Sequence, residues 1–215
     1  MKLQVALDTL TLEECIELLE ETKGSVDIAE VGTPFVIREG MRPVRELKKR
    51  FPELEILADV KIMDAGELEA DHCFEAGADI VTVLGASNDA TVAGVVRSAK
   101  KHGGKVMADM IEVHNLKERA LQIEKLGVDY ICVHTAFDIQ NTGKNPLDEL
   151  IEVNKVLTKA QSAVAGGVKE HTARQIAAEH PAILVVGGGI TNAQNRTLAA
   201  KTIKEIMNSE EASHE

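Results

Sequence analysis

The residues best equipped for chemistry in this chain are an acid and a lysine two positions apart in an apolar run. Leu57-Ala58-Asp59-Val60-Lys61-Ile62-Met63-Asp64-Ala65-Gly66 holds both, with a further acid three residues on. In an extended strand, positions two apart point to one face. Asp59 and Lys61 would then share one side of a segment that otherwise reads as buried. Buried charges cost several kcal/mol unless they are paired, metal-bound or hydrated in a site. A structural ion pair answers that demand as well as a reaction centre does. Glu30 raises the same question inside Asp27-Ile28-Ala29-Glu30-Val31-Gly32-Thr33-Pro34, because glutamate is almost never buried without a partner. With Asp59 from a neighbouring strand it would form an oxygen-rich pair suited to Mg2+, an ion held by one or two carboxylates plus water and substrate oxygens. Such a cation, or Lys61, would relieve the repulsion between the acids.

Other apolar segments end in the same manner. Leu7-Asp8 and Ala108-Asp109 repeat the pattern of Ala58-Asp59, and Tyr130-Ile131-Cys132-Val133 ends in His134. An aspartate after a strand often caps the next helix. For Asp8 that is weakened because Thr11-Leu12-Glu13-Glu14 already reads as a capping box. Asp64-Ala65-Gly66-Glu67 reads as a helix start too, so Asp64 serves either as a cap or at a site. An imidazole titrates near neutrality and suits proton transfer, and a strand end facing several carboxylates favours that role for His134 over a structural one. Two late segments end in glycines, Ala165-Gly166-Gly167-Val168 and Val186-Gly187-Gly188-Gly189-Ile190. Such turns expose backbone N–H groups at a helix start, which is a phosphate site.

The elements that must position these groups follow a repeating phrase: a helical pattern, a glycine, an aspartate, then a β-rich run. It occurs as Gly24-Ser25-Val26-Asp27-Ile28, as Gly77-Ala78-Asp79-Ile80 and as Gly127-Val128-Asp129-Tyr130. The glycine supplies a left-handed helix C-cap before the next strand. Strands are expected near Leu3–Asp8, Val26–Gly32, Leu54–Val60, Asp79–Leu84, Lys105–Met110, Val128–His134, Ser162–Ala165 and Ile183–Val186. Each is followed by a helical pattern, one of them opened by Asn115 with Glu118 as a second capping box. Eight alternations give an α/β fold, a (βα)8 TIM barrel with a parallel eight-stranded sheet, with an open doubly wound sheet as the alternative. Its reactive groups gather at the C-terminal strand ends and its phosphate turns follow strands seven and eight. The chain is expected to form one domain over residues 1–208, with the acidic segment Ser209–Glu215 frayed.

Composition narrows the function. With 215 residues, 44% of them hydrophobic but only 2% aromatic, the chain buries an aliphatic core, as interior parallel strands require. A net charge of −11 and no basic patch exclude a nucleic-acid partner. No apolar stretch spans a bilayer, and the start shows no signal peptide. Cys15, Cys73 and Cys132 are far apart and lack zinc spacing, which suggests a reducing, cytoplasmic setting.

These motifs, in this order, resemble the orotidine 5′-monophosphate decarboxylase superfamily, whose hallmark Asp-x-Lys-x-x-Asp is met by Asp59, Lys61 and Asp64. Within it they are most similar to the 3-hexulose-6-phosphate synthase family. The matching text includes Ala6-Leu7-Asp8, Glu30-Val31-Gly32-Thr33-Pro34, Gly77-Ala78-Asp79, Thr82-Val83-Leu84-Gly85, Gly127 to Thr135, Ala165-Gly166-Gly167 and Val185 to Thr191.

The resemblance implies reversible aldol condensation of formaldehyde with D-ribulose 5-phosphate, with Mg2+ or Mn2+ as cofactor. It implies that Glu30 and Asp59 hold the metal, that Lys61 and Asp8 contact substrate hydroxyls, and that Asp64 reaches into the partner's site across a homodimer interface. His134 is the expected proton shuttle at C1, oriented by Asp109, and Gly166, Gly167, Gly188 and Gly189 are the expected phosphate turns. The sibling 3-keto-L-gulonate-6-phosphate decarboxylases usually carry an arginine soon after the strand-six histidine and another in the last phosphate turn. This chain has Thr135-Ala136-Phe137-Asp138 and Gly188-Gly189 there, so the decarboxylase is the second reading. A Schiff-base aldolase using Lys61 is disfavoured because Asp59 and Asp64 would keep its ammonium charged. A non-catalytic sugar-phosphate barrel is the reading from another class, and nothing in the Asp-x-Lys-x-x-Asp motif is lost to support it.

Overall fold

A computed structural model describes residues 1–142 and 146–212. Eight parallel strands close into a barrel in sequential order: β1 (Lys2–Leu7), β2 (Ile28–Val31), β3 (Glu55–Ile62), β4 (Ile80–Leu84), β5 (Lys105–Asp109), β6 (Tyr130–His134), β7 (Gln161–Ala165) and β8 (Ile183–Val186). The expected (βα)8 barrel is therefore the fold, and β8 pairs with β1 where an open sheet would leave two edges. The helices are α1 (Leu12–Glu21), α2 (Thr33–Glu39), α3 (Arg42–Arg50), α4 (Gly66–Glu75), α5 (Asp89–His102), α6 (Leu116–Leu126), α7 (Leu147–Asn154), α8 (Glu170–Ala177), α9 (Gly188–Thr191) and α10 (Arg196–Ala212). Among the described residues none is long and apolar enough to cross a membrane.

The repeated aspartates have a structural task. Asp27, Asp79 and Asp129 each precede an even-numbered strand, and their carboxylates accept the N–H of Leu3, Ile56 and Val106 at 2.7, 2.7 and 2.8 Å. Their own N–H groups donate back to the same three residues. Each therefore fixes the register of a strand pair from its lower end. The glycines before them, Gly24, Gly77 and Gly127, have φ of 84°, 101° and 96°; Gly127 caps α6 and Gly77 directly follows the cap of α4, whereas Gly24 lies two residues past the Thr22 cap of α1.

Inward-facing side chains stack in tiers. Near the N-terminal mouth Glu55 pairs with Lys2 and Lys105. Above lies an apolar plug that includes Ile28, Leu57, Ile80, Met107, Ile183 and Val185. The uppermost tier is polar: Glu30, Asp59, Thr82 and Asp109 are buried, each two residues beyond the plug side chain of its strand. The larger aliphatic core lies outside the barrel, between strands and helices.

Two local expectations need correction. Thr11 and Glu14 do form a reciprocal capping box on α1, but Asn115 caps α6 without a side-chain hydrogen bond, and Glu118 instead accepts from Gln122 at 3.3 Å. The acidic end is also more ordered than its composition suggests. Helix α10 continues to Ala212, so residues 209–212 belong to it. Met207 is fully buried and Arg174 reaches Glu210 at 2.6 Å, which anchors the last turns of that helix. Residues 213–215 of the expected frayed tail lie outside the described residues.

One helix contact bears on the site. A Cβ at Gly66 would meet Thr91 O at 2.1 Å, and one at Gly94 would meet Glu67 N at 2.9 Å. The start of α4 is thus pressed onto α5, and that contact sets the path of the chain from Lys61 through Asp64.

Candidate active site

Strand β3 reaches the mouth through a distortion. Its pairing with β4 shifts register between Ala58 and Ile62, and Lys61 adopts φ 48°. A side chain in that region costs about 1–2 kcal/mol. Asp59 and Lys61 do face the same place, yet not through the regular alternation expected of a strand. The Lys61 N–H donates to Thr82 Oγ1 at 2.9 Å, and the same hydroxyl donates to Asp59 Oδ1 at 2.8 Å. A threonine on β4 thus satisfies the backbone group that the bulge displaces.

Lys61 Nζ pairs with Asp59 Oδ2, lies 3.6 Å from Asp109 Oδ2 and donates to Thr33 Oγ1 at 3.1 Å. The Thr33 hydroxyl in turn donates to the O and Oδ2 of Asp59 at 2.8 and 2.9 Å. Burial disfavours the ammonium, but the Asp59 and Asp109 carboxylates outweigh it and hold the Lys61 pKa above its ordinary value.

Asp109 also meets His134 Nδ1, at 3.1 Å from Oδ1 and 2.9 Å from Oδ2, and takes the Ile111 N–H at 2.9 Å. Burial works against its ionisation, yet the His134 contact and Lys61 leave its pKa lowered. An ionised Asp109 accepts a hydrogen bond from Nδ1–H, which leaves the Nε2 lone pair of a neutral imidazole available for proton transfer.

Asp8, just past β1, fits against Gly32, where a Cβ would stand 2.0 Å from Asp8 Oδ1. Burial and then Asp59 raise its pKa. Glu30 is 8% exposed, and burial followed by the Asp59 charge pushes its pKa well above the carboxylate range. Its hydrogen-bond donor is Gln4 Nε2, at 2.6 Å.

Asp8, Glu30, Asp59, Lys61, Asp109 and His134 therefore share one electrostatic cluster. Asp64 stands apart: its side chain is exposed and its Oδ1 accepts the Ala65 N–H at 2.8 Å. The cap of α4 is Ala65 in a left-handed conformation, so Asp64 is not the capping residue. Gly166 and Gly167 follow β7 with φ of 92° and 72°. A Cβ on Gly166 would lie 2.2 Å from Thr135 O, so that turn admits glycine alone. Gly188 and Gly189 open α9, where N–H groups have no partner inside the helix.

Gln4, Thr33 and Thr82 were not singled out from the sequence. Alternation carried a signal for two of them: Gln4 lies four residues before Asp8 and Thr82 two after inward-facing Ile80.

Among the described residues no group of three or more His, Cys, Asp or Glu could hold a metal ion. Glu30 and Asp59 nevertheless fit a hard cation of the Mg2+ kind, which needs only one or two carboxylates from protein. Two observations favour the fit: a buried carboxylate raised by a like charge, and Gln4 Oε1, a buried acceptor with no hydrogen-bond partner among the described residues.

The fold and cluster define a TIM barrel with an acid–lysine–histidine centre at the C-terminal mouth. The profile of the orotidine 5′-phosphate decarboxylase / HUMPS family matches residues 1–203, and the chain belongs to that family. The 3-hexulose-6-phosphate synthase of Bacillus subtilis (strain 168) is 47% identical over 207 residues, 96% of this chain and 99% of its own length. A crystal structure of 3-hexulose-6-phosphate synthase from Salmonella typhimurium superposes with TM-score 0.95 at 43% identity, covering 98% of this chain and 100% of that one. KGPDC from Streptococcus mutans shares the fold at TM-score 0.89 and 24% identity, over 96% of this chain and 97% of that one.

The Glu30 environment yields a pH-dependent prediction. An acid whose pKa is raised by folding costs nothing below its ordinary value of 4.5 and progressively more as pH rises toward the folded value. Glu30→Gln should therefore raise the melting temperature of the metal-free protein at pH 8, and the gain should fade as pH approaches 4. A melting temperature unchanged or lowered at pH 8 contradicts an uncompensated buried charge.

Proposed function

We propose that the chain is a divalent-cation-dependent aldolase that joins formaldehyde to D-ribulose 5-phosphate, giving D-arabino-hex-3-ulose 6-phosphate reversibly. The observation that carries this reading is the run of contacts Thr33–Lys61–Asp59 and Lys61–Asp109–His134 at the barrel mouth. It supplies the groups that carbon–carbon bond formation next to a ketone requires, and named relatives at 43–47% identity support the choice of substrates.

In this reading His134 Nε2 removes a proton from C1 of ribulose 5-phosphate. The electron pair left behind attacks formaldehyde carbon, and the new hydroxymethyl oxygen takes up a proton. Asp109 holds the imidazole and offsets the positive charge that it gains. Lys61, fixed between two carboxylates, donates to a substrate hydroxyl together with Asp8. Its ammonium is held charged, which disfavours a Schiff-base route that needs the free amine. Glu30 and Asp59 would hold Mg2+ or Mn2+, which would supply Lewis-acid stabilisation of developing negative charge. The N–H groups of Gly166, Gly167, Gly188 and Gly189 receive the phosphate.

The assay is direct. Protein, ribulose 5-phosphate, formaldehyde and Mg2+ should consume formaldehyde; chelator should stop the reaction and Mg2+ restart it. Full activity in excess chelator, with borohydride trapping substrate on Lys61, would transfer the mechanism to a Schiff base. Consumption of 3-keto-L-gulonate 6-phosphate in place of formaldehyde would favour the decarboxylase.

His134→Asn should leave substrate binding intact but slow exchange of the C1 proton with solvent by at least about 100-fold, the scale of general-base catalysis. An unchanged exchange rate assigns the proton to another residue.

We further propose a homodimer in which Asp64 completes the partner's site. Its exposure near Met63 and Leu68, which are 52% and 62% exposed, supports a covered face there. Mixing inactive Asp64→Ala with inactive His134→Asn subunits should then restore activity, because one site of each mixed dimer is intact. Mixed dimers that form and stay inactive place Asp64 in its own chain's site.

A further inference from the structure

The least explained side chain in the barrel is Gln4. It is 1% exposed and sits on β1 opposite Ile28 of β2 and Val185 of β8, both apolar and buried. Its amide is half used. Nε2 donates to Glu30 Oε2 at 2.6 Å, while Oε1 is buried with no hydrogen-bond partner among the described residues. A buried acceptor left without a donor works against folding, and an apolar side chain of the same shape would remove that penalty. Buried polar groups in native proteins are nearly always satisfied, so the oxygen calls for a donor that the described residues do not supply.

The neighbours indicate which donor. The other half of the amide is bound to a carboxylate of the proposed cation pair, and Asp59 is close enough to act on the same carboxylate. A Mg2+-type cation retains several waters when it is held by only two carboxylates, and those waters are strong hydrogen-bond donors. A glutamine can serve both sides at once: its N–H fixes the carboxylate, and its carbonyl faces the waters. Leucine and methionine lack both of these functions, and glutamate lacks the N–H donor.

We propose that Gln4 is a positioning residue of the cation site, orienting Glu30 through Nε2 and accepting a hydrogen bond from a water of the bound cation through Oε1. The inference rests on the cation reading given above. Partners in this outer shell govern metal affinity about 10- to 100-fold.

The test is Mn2+ binding, followed by the EPR signal of the free ion, on wild type, Gln4→Met and Gln4→Asn. Gln4→Met keeps the volume and removes both polar atoms. Gln4→Asn keeps the amide but is one methylene too short to reach Glu30. Both should bind Mn2+ at least about 10-fold more weakly. Saturating metal should restore activity to both variants and raise their melting temperatures toward that of the metal-bound wild type. A merely structural role would lower the melting temperature and leave no rescue by metal, and that result overturns the proposal. Wild-type affinity in either variant overturns it as well, and the cation reading then survives. If wild type itself binds no Mn2+, the cation reading fails, and the Gln4 proposal with it.

Discussion

The site depends on one half-buried ammonium. Lys61 lies between Asp59 and Asp109, and both carboxylates are almost fully buried. Removing an ion from water costs several kcal/mol, whereas one ion contact near 4 Å returns about 4 kcal/mol at an effective dielectric of 20. A single acid would leave the balance near zero. Two acids tip it, which is why the Lys61 pKa rises despite burial. The dependence is mutual, since Asp109 stays ionised beside His134 partly because Lys61 is there. Asp8 and Glu30 lie farther along the same cluster and are pushed the other way. The lysine compensates part of the acid cluster, and the proposed cation would offset the remainder.

That ammonium meets both acids from a distorted stretch of strand. Asp109 is two strands away from β3 in the closed order, so the bulge and positive φ at Lys61 redirect the side chain. Its cost is contained by Thr82, whose hydroxyl caps the displaced N–H and holds Asp59 in the same act. Beyond the bulge the chain passes Asp64 and is caught by the Gly66 and Gly94 contacts of α4 on α5. Bulge, threonine and glycines thus form one positioning unit, assembled from β3, β4, α4 and α5.

The repeat of glycine, aspartate and β-rich run made the barrel legible, because each phrase is a local device whose φ and hydrogen bonds are set within a few residues. The positions of Asp8, Asp59, Asp109 and His134 at strand ends could be read in the same way, since a period of two and a strand length suffice. What stayed hidden depends on closure. Gln4 meets Glu30 only because β1 and β2 pair in a particular register, and a glutamine in an apolar strand carries no mark of that partner. The bulge was invisible because Lys61 is not a glycine, the residue that normally announces positive φ. The α10 extension rests on Arg174 reaching Glu210 from α8, a contact 36 residues apart that composition cannot show.

If the acidic mouth takes the proposed anionic substrate, the two charges are best kept apart, and the strand order does this for most of the acids. The carboxylates come from β1, β2, β3 and β5, whereas the four glycines follow β7 and β8. In the closed order those two strands lie across the barrel from β3 and β4. Glu30, Asp59 and Asp109 therefore lie away from the glycine turns, while Asp8 at the end of β1 neighbours β8. Backbone donors suit those turns better than an arginine would. A mobile guanidinium could swing toward the carboxylates and compete with Lys61, whereas an amide fixed in a turn cannot leave it. Gly166 admits no Cβ because Thr135 O stands in its place, so the same packing that presents the amide also excludes a side chain. On this arrangement an extended sugar phosphate would lie across the mouth with its phosphate on the glycine turns and its carbonyl end among the acids, where Lys61, His134 and the proposed cation site converge.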